Sequence, residues 1–181
     1  MRVISGKYKG RTIEGFAIDG TRPTMDRVKE SLFAMIQIKL KGAIVLDLFA
    51  GSGNLGIEAL SNGASKAILV DNNPRCIEMI KNNIKTIKIE EETLVLNEDY
   101  KKAIFDLKKH DQKVDIVFLD PPYHNNLLND AIRLIIEQQI LKQNALIIVE
   151  YEEEIPDCSL TLLKERKYGT KNIRIYEYKD L

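Results

Sequence analysis

Cysteine and histidine are scarce in this 181-residue chain, two of each, and no apolar run approaches the roughly 20 residues needed to span a bilayer. Cys76 and Cys158 stand far apart and form no pair motif, so neither a disulfide framework nor a thiolate metal cage organises the fold, and both are expected to be reduced thiols. His110 lies in a Lys-rich stretch and His124 beside a Pro-Pro-Tyr segment, too few and too scattered for a histidine metal site. The expectation is no metal and no membrane. The first six residues lack the apolar core and small-residue cleavage site of a secretory signal, which points to the cytoplasm. Net charge is also absent, with 27 Lys and Arg against 27 Asp and Glu. Its distribution is uneven, because residues 1–43 hold nine basic against four acidic side chains, a surplus of five that the remainder cancels. A basic end on a neutral protein fits an anionic partner held by that end, although a solvated charged face gives the same pattern.

What is present reads as one globular unit, 44% apolar and 30% charged, of ordinary single-domain size. From residue 43 onward apolar strand-like runs alternate with helical patterns, the signature of an α/β fold with a parallel sheet covered on both faces. Strands are expected over residues 44–48, 67–71, 94–97, 114–119 and 146–150. Asn73 is placed to cap a helix with Pro74 at its first position and Ile77, Ile80, Ile84 and Ile87 at helical spacing. A second helix starts near Asn126, and a third begins after Gly53 and ends at Gly63. Residues 160–163 and 173–178 read as a closing antiparallel pair around Tyr168-Gly169. Residues 2–4 and 11–14 flank Gly6 and Gly10 like a hairpin, and Thr21-Arg22-Pro23-Thr24 leads into a helix with Val28, Leu32, Met35, Ile36 and Leu40 on its apolar stripe. The domain reading is therefore a β-hairpin extension over residues 1–20 and one α/β domain over residues 21–181.

Two segments carry chemistry. The first is Asp47-Leu48-Phe49-Ala50-Gly51-Ser52-Gly53 at the end of an apolar run, continuing through Asn54 and Leu55 to Gly56 and so matching G-x-G-x-x-G. Missing side chains there let backbone amides approach a nucleotide-like ligand. Asp71 falls twenty positions after Gly51, at the end of the next strand, where it can accept both ribose hydroxyls. That pattern alone keeps a nicotinamide dehydrogenase open. Asp47 argues for a different ligand: its carboxylate would repel a pyrophosphate but suits the ammonium and sulfonium of S-adenosylmethionine. Asp99, after the third strand, is placed to accept from the adenine amino group.

The second segment is Asp120-Pro121-Pro122-Tyr123, at the matching end of another strand. An exocyclic base amine is a poor nucleophile because its lone pair is delocalised into the ring. The Asp120 side chain and the Pro121 carbonyl can accept its two N–H groups and favour a pyramidal nitrogen aimed at the methyl group. The two prolines fix that carbonyl without offering competing donors, and Tyr123 supplies a flat face for a base rotated out of its stack. The same tetrapeptide can hold adenine or guanine.

End to end, the chain resembles the RsmD family of small-subunit (16S) ribosomal RNA guanine-N2 methyltransferases. Besides the two motifs, the resemblance rests on Arg2-Val3-Ile4-Ser5-Gly6, Gly10-Arg11, the distinctive run from Arg22-Pro23-Thr24 to Ser31-Leu32-Phe33, and Leu146-Ile147-Ile148-Val149-Glu150. It implies a class I methyltransferase fold: a mostly parallel, seven-stranded, Rossmann-like sheet with an antiparallel strand near the C-terminal edge, preceded by a β-hairpin. It implies S-adenosylmethionine as donor and one guanine of 16S ribosomal RNA as acceptor; whether that RNA is naked or within a partly assembled subunit the sequence leaves open, and a monomer is expected. By the same carry-over Asp120, Pro121, Pro122 and Tyr123 hold the target base, while Asp47, Phe49, Gly51, Gly53, Asp71, Asn72 and Asp99 hold the donor. Lys7, Lys9, Arg11, Arg22 and Arg27, with Arg2 and Lys29 beside them, become candidates for phosphate contacts. A DNA adenine-N6 enzyme and a non-catalytic RNA-binding module are the competing readings.

Overall fold

Runs of apolar residues with no polar alternation need cover on both faces, and the central strands of this protein have it. The computed structural model describes residues 1–16, 22–122, 127–151 and 160–179. Within these, β1 (Ile44–Asp47), β2 (Lys66–Asp71) and β4 (Val114–Leu119) bury nearly every side chain. They join β3 (Thr93–Asn97), β5 (Leu141–Tyr151), β6 (Thr161–Tyr168) and β7 (Lys171–Glu177) in one seven-stranded sheet ordered β3-β2-β1-β4-β5-β7-β6. Strands β1 to β5 are parallel, and β7 runs antiparallel to both β5 and β6. The seven-stranded, mostly parallel architecture read from the sequence is the one observed.

Helices α1 (Arg22–Leu40), α2 (Asn54–Ser61) and α3 (Pro74–Ile87) pack one face of the sheet around Phe33, Ile57, Ile80 and Phe118. Helices α4 (Tyr100–Lys109) and α5 (Leu127–Glu137) pack the other face around Ile104, Val117, Ile135 and Ile147. Asn73 caps α3 as expected, its side chain accepting from the Arg75 N–H at 3.0 Å with Pro74 at the first position. Among the described residues no helix is long and apolar enough to cross a membrane.

Three differences from the sequence reading have physical causes. Helix α4 is absent from the expected elements: Tyr100, Ala103, Ile104 and Leu107 recur at helical spacing and are buried, but the apolar stripe is only these four residues within a Lys-rich segment. Strand β6 continues through Lys164-Glu165-Arg166-Lys167, which reads as a loop in sequence; an edge strand exposed along nearly its whole length has no core to impose apolar alternation. The N-terminal segment forms a single antiparallel bridge, Arg2 to Thr12, instead of a two-strand ladder. It is not a free arm, since Val3, Tyr8 and Ile13 belong to the same buried cluster as α1, α2 and α3.

What ties this segment down is Glu58 on α2, 1% exposed, whose carboxylate accepts from the Ile4 and Ser5 N–H groups and the Ser5 hydroxyl. Lys29 of α1 completes the cluster, with its ammonium 2.9 Å from Glu58, 2.7 Å from the Asn54 side-chain oxygen and 2.8 Å from the Arg2 carbonyl. Gly6 turns against the end of α2 at φ 78°, and a Cβ there would sit 1.9 Å from the Ser61 carbonyl oxygen, so only glycine fits.

Candidate active site

The strand order reverses direction at β1, with β2 on one side and β4 on the other, and open α/β sheets bind ligands in the crevice such a switch creates at the carboxyl edge. A cleft of about 800 Å³ opens there. Its walls come from the loop after β1, the ends of β2, β3 and β4, the first turns of α1, and the turn between β6 and β7.

The glycine turn behaves as the motif predicts. Gly51 and Gly53 hold φ of 57° and 79°, the left-handed region that costs a side-chain-bearing residue energy, and Gly53 leads directly into α2. Asp71 braces this turn: one carboxylate oxygen accepts from the Gly51 N–H at 2.9 Å and the other from the Asn73 N–H at 2.8 Å. Each oxygen keeps a lone pair that a ribose hydroxyl could use. Asp47 is 1% exposed and accepts from the Gly56 N–H at 3.3 Å. Burial pushes its carboxyl up to about 7, the Gly56 hydrogen bond opposes that rise, and the negative charges of Asp120 and Asp71 add to it. Three acids thus share one cleft, Asp47 buried and Asp71 and Asp120 half-buried, and their combined negative charge favours a bound cation.

Asp47, Phe49, Gly51, Asp71, Asn72, Asp99, Asp120 and Pro122 all line the cleft. Gly53 is buried between the lining residues Ser52 and Asn54 without lining the cleft itself, and Pro121 is buried outside the lining. Tyr123 lies outside the described residues. Asp99 does a structural job as well: it caps α4, accepting from the Lys101 N–H at 2.9 Å. Phe49 packs against Tyr100 with ring centroids 5.5 Å apart.

The basic N-terminal residues are placed elsewhere. The Lys7 N–H donates to Ser61, the last residue of α2, and the Arg11 guanidinium to Ile87, the last of α3. Both helices start at the carboxyl edge, so this tip sits at the opposite edge of the sheet, about 12–21 Å down the helix axes from the cleft. Lys9 is exposed on the same tip, and Arg27 is exposed on α1 near the cleft. Arg2 pairs with Asp26 at 3.1 Å. Lys29 is no phosphate contact: it is 5% exposed, and burial lowers its ammonium pKa against the opposing pull of Glu58. Arg22 opens α1, and its side chain lies outside the described residues.

Two groups of cleft residues escaped the sequence reading. Phe16, 53% exposed, lies against Gly51, where an added Cβ would be 3.5 Å from its ring. Tyr168, Gly169, Thr170 and Lys171 reach the cleft from the far end of the chain, with the Tyr168 hydroxyl 2.5 Å from that of Ser31 and Lys171 bonded to Glu150. Neither group belongs to a local motif, and the aromatic rings of Phe16 and Tyr168 are the one signal the sequence carries.

A sheet of this order, with a glycine turn, an acid closing β2 and an Asp-Pro-Pro run closing β4 around one cleft, defines an S-adenosylmethionine-dependent methyltransferase of class I. The yhhF protein of Escherichia coli superposes with a TM-score of 0.85 at 33% identity, covering 100% of this chain and 99% of that one. The Ribosomal RNA small subunit methyltransferase D of Haemophilus influenzae is 40% identical over 98% of this chain and 93% of its own length, and its counterpart in Escherichia coli K12 is 34% identical over 98% and 89%. The chain belongs to the RsmD family, whose model, described as Conserved hypothetical protein 95, matches residues 1–177.

Proposed function

We propose that this protein transfers a methyl group from S-adenosylmethionine to the exocyclic N2 amine of one guanine in 16S ribosomal RNA, acting as a cytoplasmic monomer on a partly assembled small subunit. The observation that carries the reading is the convergence of Asp47, Asp71 and Asp120 on one cleft at the switch point, in a chain 40% identical to a small-subunit ribosomal RNA methyltransferase. S-adenosylmethionine, when bound, supplies an electrophilic methyl group on a sulfonium.

The chain's own residues position both partners. Asp71 would hold the ribose, Asp99 and Asn72 would hold the adenine, and Asp47 with the glycine turn would hold the positively charged methionine end. Asp120 and the Pro121 carbonyl accept the two N–H groups of the target amine, and Tyr123 stacks on the base. The amine would give up one proton as it gains the methyl group, the electron pair of the broken bond staying with the donor, and Asp120 can take that proton and pass it to water. No covalent enzyme intermediate is required, so positioning supplies most of the rate.

Asp120→Ala is expected to lower methyl transfer by at least about a hundredfold, the lower end of what loss of a positioned acid–base or charge-stabilising group costs. Calorimetric affinity for the donor should stay within a few-fold. Tritium transfer from labelled donor to naked 16S RNA, to partly assembled subunits and to DNA, followed by nucleoside mass spectrometry, identifies both base and substrate. N2-methylguanosine confirms the reading, whereas N6-methyladenine in DNA replaces it.

A further inference from the structure

Strand β6 has a feature that cofactor binding and methyl transfer leave unused. Its eight residues are exposed until Tyr168, yet Lys164, Arg166 and Lys167 stand on it without an ion pair among the described residues. The other charged side chains of this hairpin are neutralised. Glu165 accepts from Arg174 at 2.7 Å and from the Tyr151 hydroxyl at 2.6 Å, Lys171 is bonded to Glu150, and Lys179 faces Glu177 at 3.3 Å. Residues 160–179 carry six basic against two acidic side chains, a second basic region as dense as the N-terminal one.

Direction along the sheet matters as much as charge. Because β7 is antiparallel to both neighbours, β6 runs with β5 and ends at the carboxyl edge, where Tyr168 to Thr170 enter the cleft wall. Lys164 and Arg166 pair with Ile175 and Ile173 of β7, which face α1, so both project on the α1 side about 7 Å apart. Tyr168 continues that row to Ser31 of α1, and exposed Arg27 lies one turn further along the helix. A row of cations without an ion pair among the described residues therefore leads from the sheet edge to the cleft mouth, whereas Lys7 and Lys9 decorate the opposite edge.

We infer that the β6 edge, through Lys164 and Arg166 on the α1 side with Lys167 on the other face of the same strand, is the surface that grips the phosphate backbone of the ribosomal RNA flanking the target base. The inference rests on the function proposed above. The competing explanation for lysines on an exposed edge strand is protection against pairing with another strand, which any charge of either sign provides. Charge reversal separates the two: glutamate keeps the guard and destroys the phosphate contact.

The test compares wild type, Lys164→Glu/Arg166→Glu/Lys167→Glu and the milder Lys164→Gln/Arg166→Gln/Lys167→Gln protein. Binding to a 16S RNA transcript is measured across a salt series, with donor affinity by calorimetry and thermal unfolding alongside. The reversal should weaken RNA binding about tenfold or more near physiological salt, and both variants should flatten the plot of log K against log salt by about 2–3 units. Donor affinity should be unchanged. Lys7→Glu/Lys9→Glu should change the slope less. Folded variants that keep the wild-type affinity and slope overturn the inference. A wild-type protein that neither binds nor methylates 16S RNA overturns the proposed function itself, a failure visible before any variant is made.

Discussion

Asp47 condenses the conflict between stability and function into one side chain. Its carboxyl titrates near 7 in the folded protein and near 3.8 when unfolded, so it favours folding fully below about pH 4 and loses that contribution as pH rises through 7. Above pH 7 the buried carboxylate is a net cost, and Asp47→Asn is expected to raise the melting temperature of the ligand-free protein at pH 8, by about 1–4 kcal/mol in stability. The same change should weaken donor binding, because the charge that burdens the empty cleft meets the sulfonium and ammonium in the filled one. Binding must also expel the proton: below pH 7 the complex should release up to one proton, and affinity should climb with pH and level off above 7. Calorimetry in buffers of different ionisation enthalpy measures both. A donor affinity flat from pH 6 to 8 would remove Asp47 from its proposed role. The three acids were legible in sequence because each closes a strand, the one position where a side chain reaches the crevice of an open sheet. Phe16 and Tyr168 were not, since each approaches from a remote segment that no spacing rule connects to the motifs.

Among the elements, α2 does two jobs, and its sequence shows only one. Its N-terminus receives the glycine turn, a motif that can be read directly. Its buried Glu58 also holds residues 4 and 5 and the Lys29 ammonium, and nothing in Asn54-Leu55-Gly56-Ile57-Glu58 marks that glutamate as interior. Removing one member of a buried, hydrogen-bonded ion pair strands its partner, typically at about 3–5 kcal/mol. Glu58→Ala should accordingly lower Tm by roughly 10 °C for a chain of this size and open residues 1–16 to proteolysis. Lys29→Met should cost less, because the Ile4 and Ser5 N–H groups still satisfy the carboxylate. An uncleaved N-terminus in Glu58→Ala would show that the apolar contacts of Val3, Tyr8 and Ile13 suffice, and equal losses in the two variants would show that the Lys29 ammonium, not the N–H groups, is what the carboxylate needs. Strand β6 is the opposite case: its pattern carried no strand signal because it packs against one neighbour and faces solvent, leaving its residues free to serve a ligand rather than a core.

At the scale of the whole molecule, two basic regions near the chain's ends face an acidic middle, and folding splits the first of them: Lys7, Lys9 and Arg11 go to the edge of the sheet opposite the cleft, while Arg27 stays on the cleft side with the end of β6. Stability should be graded in the same frame. Amides of β1, β2 and β4, paired on both sides and covered on both faces, should exchange with solvent slowest, and those of β6 fastest among the strands; hydrogen-exchange mass spectrometry reads this, and slow exchange across β6 would mean that its edge is covered in solution. The sequence by itself determined the parallel α/β core, the cap of α3, the glycine turn and the acids at the strand ends, because these follow from periodicity and from backbone rules acting over a few residues. Only the tertiary structure decided that Lys29 is buried, that Asp99 caps a helix while lining the cleft, that the N-terminal tip lies away from the cleft, and that a C-terminal turn completes its wall. Each of these depends on which distant segments meet, and no local pattern encodes such meetings.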